Sequence, residues 1–310
     1  MILHGKTNNN KQRFFCRFCN KSFVWQSKLN KISNEKHWFY LWVKEAFSLR
    51  QLSYISRHSP SKLKRIKNYW LKQTPPEYVF YSRCKHVLLD GTYFHKTGCI
   101  ICLMDVSSRD VIATIYVNKE NYKNVFPWLK TLKEKGLNPT HIVVDGERSV
   151  MRALKDTWPN IVIQRCLYHI QREGMRWLRT YPRTIAGKEL RYLLGTLCTT
   201  RTVKERDQFI NTFSLWIKTY RDFLKTLPST NIVFKDLKRT KVLIKNALPD
   251  MFHFLNEPLL PSTTNLIEGL YSRLKSDYSR HRGLTEQNKR QYLKWYCFLN
   301  NKNIKTKHCG

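Results

Sequence analysis

Apolar residues follow two rhythms along this chain. Between residues 84 and 165 they come as short runs that suit strands buried on both faces of a sheet. His86–Phe94, Gly98–Asp105 and Val111–Val117 read as three strands. Turns at His95–Lys96–Thr97 and Ser107–Ser108–Arg109 join them into an antiparallel meander. Asn121–Lys135 then reads as a helix stopped by Gly136, His141–Asp145 as a strand, Ser149–Thr157 as a helix with Pro159 beyond it, and Ile161–Gln164 as a fifth strand. Outside this stretch the spacing is helical. Trp38, Leu41, Trp42 and Ala46 share one period within 35–47, and 188–197, 204–220 and 235–246 are further helices.

Three strands, helix, strand, helix, strand is the order of a ribonuclease H-like fold. The expected class is α/β, a mixed five-stranded sheet with flanking helices, interrupted by an all-helical insertion over 184–260. Residues 84–183 form the first part of that core. Residues 261–310 carry its last helix, in which Leu266, Leu270 and Leu274 are expected on the buried face, and a basic tail with +8 net charge from Leu270 onward. Ahead of the core, Ser48 and the Ser59–Pro60 pair are helix-start signals. Two short helices with a basic second one, carrying Lys62, Lys64, Arg65 and Lys67, suggest a helix-turn-helix reader of DNA over 37–76. A solvated basic face is the plainer alternative. Thr74–Pro75–Pro76 has the composition of a linker. Residues 1–36 hold Cys16–x–x–Cys19 among basic and aromatic residues, one knuckle of a zinc ribbon. Tetrahedral zinc needs four ligands, a second Cys-x-x-Cys is missing, and His4 and His37 have no persuasive spacing.

Charge sharpens this picture. In 310 residues, 56 Lys plus Arg stand against 22 Asp plus Glu, a net of +34. With 13% aromatic residues, that excess points to a folded protein with a polyanionic partner, double-stranded DNA rather than a membrane. No run approaches the roughly 18 apolar residues of a membrane span. Nine cysteines without a dense framework spacing suit a reducing compartment.

Candidate chemistry lies where the apolar runs end. Val87–Leu88–Leu89 closes in Asp90–Gly91, and Ile142–Val143–Val144 closes in Asp145–Gly146. Two buried carboxylates on adjacent strands repel each other unless a cation bridges them. Each Asp-Gly taken alone reads better as a turn than as a metal ligand. Glu268 supplies a third carboxylate far downstream, and together the three suit divalent metal for phosphoryl chemistry. Trp216 in the insertion reads as core packing rather than a base-stacking residue.

Four ordered motifs, Asp90–Gly91–Thr92, Asp145–Gly146, Cys166–x–x–His169 and Asn265–x–x–Glu268–Gly269, with Arg282–Gly283 after them, resemble the Mutator-type transposases of bacterial insertion sequences. The resemblance covers about residues 84–285. It implies an Asp-Asp-Glu transposase that binds the ends of its element, cleaves the DNA and transfers the 3′ end to target DNA. Asp90, Asp145 and Glu268 would be catalytic and hold Mg²⁺ or Mn²⁺, with Asp90 shared between two ions, and Cys16 and Cys19 are a candidate pair for Zn²⁺. Cys166 and His169 match the family's Cys-x-x-His signature; half a zinc site, an acid–base pair, or packing and hydrogen bonding are open to them, and a structural or DNA-positioning role is favoured. On their own charge, Arg273, Lys275, Arg280 and Arg282 read as approaching phosphates near the scissile bond, with a solvated basic face nearly as good a reading. A homo-oligomer, at least a dimer on DNA, and a bacterial cytoplasmic, nucleoid-associated location are implied. The competing readings are a structure-selective nuclease with the same triad and a truncated copy that only binds DNA.

Overall fold

The computed structural model describes residues 1–302 except 9, 26–27, 95–97, 227, 229 and 282, and of residues 28–34 the backbone alone. The turn expected at 95–97 therefore lies outside the described residues. The chain divides into two units, Met1–Thr74 with Asp277–Tyr292 and Pro75–Ser276 with Leu293–Gly310.

The first unit opens with three short antiparallel strands in sequential order, β1 (Ile2–Lys6), β2 (Gln12–Cys16) and β3 (Lys21–Val24). Ring contacts stand in for a deep core: Phe14 stacks on Phe23 and His4 on Phe15. Three helices follow, α1 (Lys28–Lys44), α2 (Leu49–Ser56) and α3 (Pro60–Leu71). Ser48 closes a reciprocal capping box with Gln51, and Ser59 accepts from the Lys62 amide with Pro60 at the first helical position, so both start signals form as the sequence requires. Phe39, Trp42, Val43, Leu52, Leu63 and Ile66 are buried. His281 Nε2 donates to the Trp42 carbonyl at 2.8 Å in the same core.

The second unit holds a five-stranded mixed sheet. Its strands are β4 (His86–Tyr93), β5 (Cys99–Asp105), β6 (Val111–Val117), β7 (His141–Val144) and β8 (Val162–Arg165), in spatial order β6-β5-β4-β7-β8. The β4–β5 and β5–β6 pairings are antiparallel, and β4–β7 and β7–β8 are parallel. One face sends Val87, Leu89, Ile101, Leu103, Ile142 and Val144 against α4 (Tyr122–Glu134) and α5 (Arg148–Thr157). Each fully buried aliphatic there contributes roughly 1.5–3 kcal/mol by leaving water. That surplus is what the sheet sets against seating a carboxylate in its other face.

From α6 (Leu167–Leu178) the chain enters a helical region: α7 (Ile185–Leu197), α8 (Val203–Thr219), α9 (Arg221–Thr226) and α10 (Ile232–Ala247). Thr184, Thr202 and Asn231 cap α7, α8 and α10. This region has its own core around Leu190, Leu194, Phe213, Leu237 and Ile244. Trp216 is buried in it and donates to the Ala186 carbonyl at 2.9 Å, which is the packing role expected of it. The return segment is held on β8, where Gln164 donates to Met251 O and accepts from the Phe254 amide.

The last helices are α11 (Asn265–Ser279) and α12 (Glu286–Leu299). Ile267, Leu270, Tyr271 and Leu274 form the buried stripe of α11. Apolar spacing alone predicts Leu266 there; it is 37% exposed while Ile267 is fully buried. The cause is a polar anchor. Tyr271 Oη donates to the Asp90 carbonyl at 2.6 Å and accepts from the Cys102 amide, which fixes the rotation of α11 and turns Ile267 inward. Among the described residues no helix is long and apolar enough to cross a membrane.

Candidate metal-binding active site

The register of β4 on β7 builds the site. His86 pairs with His141, Val87 with Ile142 and Leu88 with Val143. Continuing that offset sets Asp90 opposite Asp145, where β7 ends. Side chains alternate along strands, so both aspartates lie on the face away from α4 and α5. Asp90 is buried. Burial pushes its carboxyl well above the usual carboxylate range, and repulsion from Asp145, Glu120 and Glu268 adds to the shift against one favourable hydrogen bond from the Gly91 amide. Three further carboxylates therefore act on Asp90 here. Such a set of hard oxygen donors fits Mg²⁺ or Mn²⁺, whose charge removes the repulsion.

Backbone detail aims the second aspartate. Glu147 N donates to Asp145 Oδ1 at 2.9 Å, and Gly146 turns the chain at φ +96°. The Arg165 guanidinium packs where a Gly146 side chain would stand. Its Nε is buried without a hydrogen bond, and the attraction of Asp145 opposes the desolvation that lowers its pKa.

Glu268 arrives in the first turn of α11, where the helix N-terminus favours negative charge. Thr264 ties it to the Cys-x-x-His motif. Thr264 Oγ1 lies 3.3 Å from Glu268 Oε1, 3.4 Å from Cys166 Sγ and 3.5 Å from His169 Nδ1, and the Thr264 amide donates to Cys166 Sγ at 3.3 Å. His169 Nδ1 is 3.6 Å from Glu268 Oε1. Ligand atoms of Cys166, His169 and Glu268 lie within 4.8 Å of one another. Burial pushes the Cys166 thiol up. Thr264 links the motif to Glu268. Thr264→Val, which keeps the shape and loses the hydroxyl, is expected to weaken Mn²⁺ binding roughly 10- to 100-fold, as loss of an outer-shell partner typically does. Unchanged affinity in a Mn²⁺ titration would mean that Thr264 only packs.

Two participants escape a sequence reading. Glu120 follows β6 in a polar loop, and burial, then repulsion from Asp145 and Glu147, pushes its carboxyl up to about 7. Its Oε2 would be 2.5 Å from a side chain at Gly91, so Gly91 leaves room for it. No spacing rule singles out Glu120 or Arg165; the chain just after β6 delivers the first and the end of β8 the second.

The remaining expected site residues lie elsewhere. Lys64 and Arg65 are exposed on α3, whereas Lys62 reaches to 3.2 Å from His58 Nε2 and Lys67 lies 5.6 Å over the Trp42 ring. Arg273 and Lys275 are exposed on α11, and Arg282 lies outside the described residues. Cys16 closes β2, and backbone hydrogen bonds from Cys19 and Phe18 hold its thiol below the usual value. Among the described residues no third ligand joins Cys16 and Cys19; His4 packs on Phe15 and His37 on Trp38.

Comparison with known proteins adds two findings. The family profile described as "Transposase, Mutator family" matches residues 40–284. The transposase for insertion sequence element IS1201 of Lactobacillus helveticus is 24% identical over 253 residues, 75% of this chain and 62% of that protein. The chain thus spans less than two thirds of the length of this relative.

Proposed function

The chain belongs to the Mutator family of transposases, and from that premise we propose that it is a metal-dependent DNA transposase. It binds the ends of its element, cuts the DNA and joins the freed 3′ end to target DNA. The observation that carries this reading is the β4–β7 register that sets the buried Asp90 opposite Asp145, with Glu120 and Glu268 close enough to act on Asp90. Strand order β6-β5-β4-β7-β8 supports a ribonuclease H-like core, with the helical region inserted before the third carboxylate.

Asp90, Asp145 and Glu268 would hold Mg²⁺ or Mn²⁺. Bound there, such ions activate a water or 3′-hydroxyl and neutralise charge on the phosphate and the leaving oxygen. The protein's own groups do the rest. Arg165 fills the space under Gly146 and steadies the turn that aims Asp145. Cys166, His169 and Thr264 hold Glu268 at its place in the first turn of α11. Lys275, seven residues beyond Glu268, shares its side of α11 and offers a cation to the substrate backbone. Two ends must be brought together, which calls for at least two copies of the chain.

Purified protein, Mg²⁺ and labelled DNA carrying element ends test the proposal. Nicked and joined products are expected. Nicks without joining would move the assignment to a nuclease, and binding without cleavage would leave a DNA-binding protein alone.

We assign end recognition to α2 and α3 as a helix-turn-helix. Lys64 and Arg65 are the exposed cations of α3, while the ammonium groups of Lys62 and Lys67 lie against His58 and Trp42. Lys64→Ala/Arg65→Ala is expected to weaken binding to end-containing DNA and to flatten the plot of log affinity against log salt by roughly 0.9 per lost phosphate contact. A slope equal to wild type in filter binding would take these residues off the interface.

A further inference from the structure

We propose that His86, His141 and Glu257 form a second metal site, for a cation of the Zn²⁺ class, on the carboxylate face of the sheet but at the opposite end of its strands. His86 and His141 are the first residues of β4 and β7 and pair directly in the parallel register. Asp90 and Asp145 stand four residues further along the same strands, which puts the two sites about 13 Å apart at 3.3 Å per residue. Leu88 and Val143 lie between them on that face.

The donor set differs from the carboxylate site. One ligand atom from each of the two histidines and Glu257 lie within 4.8 Å of one another. The two imidazoles are stacked, with centroids 5.1 Å apart and planes 15° from parallel. His86 Nε2 is 3.5 Å from Glu257 Oε1 and, although buried, makes no hydrogen bond. A buried polar atom left in that state calls for an explanation. His141 Nδ1 lies 2.9 Å from Thr140 Oγ1, so its other nitrogen is left for a ligand and the ring has an outer-shell partner of the kind metal-bound histidines use. Two imidazoles and one carboxylate suit Zn²⁺ and its neighbours, with one position left for water. Tetrahedral ligands stand roughly 3.4 Å apart at ordinary bond lengths, so closing the site takes side-chain adjustment rather than backbone movement.

The site has a structural consequence. Glu257 sits on the segment that returns from the helical region and delivers Glu268. That segment is tied near the carboxylate end by the Leu167 amide bonded to Ser262 O. A cation on His86, His141 and Glu257 would fasten its other end to the sheet.

The test uses chelator-stripped full-length protein in excess Mg²⁺, titrated with Co²⁺ and read by metal stoichiometry and visible absorption. The expected result is a Co²⁺ equivalent with nitrogen and oxygen ligation, lacking a thiolate charge-transfer band. It is retained in Cys16→Ser/Cys19→Ser and in Asp90→Asn, lost in His86→Gln/His141→Gln, and at least about tenfold weaker in Glu257→Gln. Absence of that equivalent from wild type, or its undiminished presence in the double histidine variant, overturns the proposal. If circular dichroism finds the double variant unfolded, Glu257→Gln decides alone, and wild-type Co²⁺ affinity there overturns it.

Discussion

Asp90→Asn is expected to abolish cleavage and joining while making the metal-free protein more stable. If Asp90 holds metal as proposed, losing its carboxylate would remove several kcal/mol of charge stabilisation, at least about 10³-fold in rate. The stability effect has the opposite sign. Burial and neighbouring carboxylates hold the Asp90 carboxyl above its ordinary 3.8, and they lift Glu120 from 4.5 to about 7. A carboxyl raised on folding keeps its proton longer in the folded state than in the unfolded one. Stability is therefore greatest below the unfolded values, falls as pH rises through the raised folded values, and stays low above them. The metal-free wild type should melt at progressively lower temperature from about pH 4.5 to about pH 7, where Glu120 titrates. Asp90→Asn should lessen that slope and raise the melting temperature near neutrality by a few degrees, since 1 kcal/mol moves it about 2–4 °C in domains of similar size. Mg²⁺ should stabilise the wild type and leave Asp90→Asn unmoved. Differential scanning fluorimetry across pH, with and without Mg²⁺, reads both effects. A variant less stable than wild type at neutral pH would show that Asp90 is seated by favourable contacts rather than held against repulsion.

Gly146→Ala should be nearly as damaging, for a different reason. At φ +96° a side chain is strained, and here it would also overlap the Arg165 guanidinium. Strain of this kind costs on the order of 1–3 kcal/mol. Relief by moving the turn displaces Asp145, and a misplacement of about 1 Å can cost 10²-fold in rate. Thermal melting and the cleavage assay measure the two parts. Arg165→Ala removes the overlap and leaves the backbone strain, so Gly146→Ala should cost less stability in an Arg165→Ala background than in wild type. Equal losses in both backgrounds would assign the whole effect to the backbone.

The legible parts of this protein are those written in local pattern. Val87–Leu89 and Ile142–Val144 read as strands because nothing polar interrupts them, and their shared ending in Asp-Gly marks the site. Ser48 and Ser59 announce α2 and α3 because a hydroxyl and its amide partner sit three residues apart. Phasing fails at Leu266, since leucine and isoleucine are equally apolar and only the Tyr271 anchor on Asp90 chooses between them. The strands of the first unit give little signal: β1 is exposed throughout, so no alternation separates an inner from an outer face. Glu120, amid Asn118, Lys119 and Asn121, has no periodicity to betray it. His86 and His141 are ordinary strand openings until the register sets them side by side.

The bond from Tyr271 to Asp90 spans 181 residues of chain, with the whole helical region between. During synthesis from the N-terminus the sheet and both aspartates emerge long before the helix that completes the site. Domains generally fold as units while the chain is still growing, and contacts this distant in sequence form late. A nascent chain would expose the two aspartates without Glu268 until α11 leaves the ribosome and docks. The order of the elements thus leaves the two aspartates without Glu268 on any polypeptide released before α11 is made.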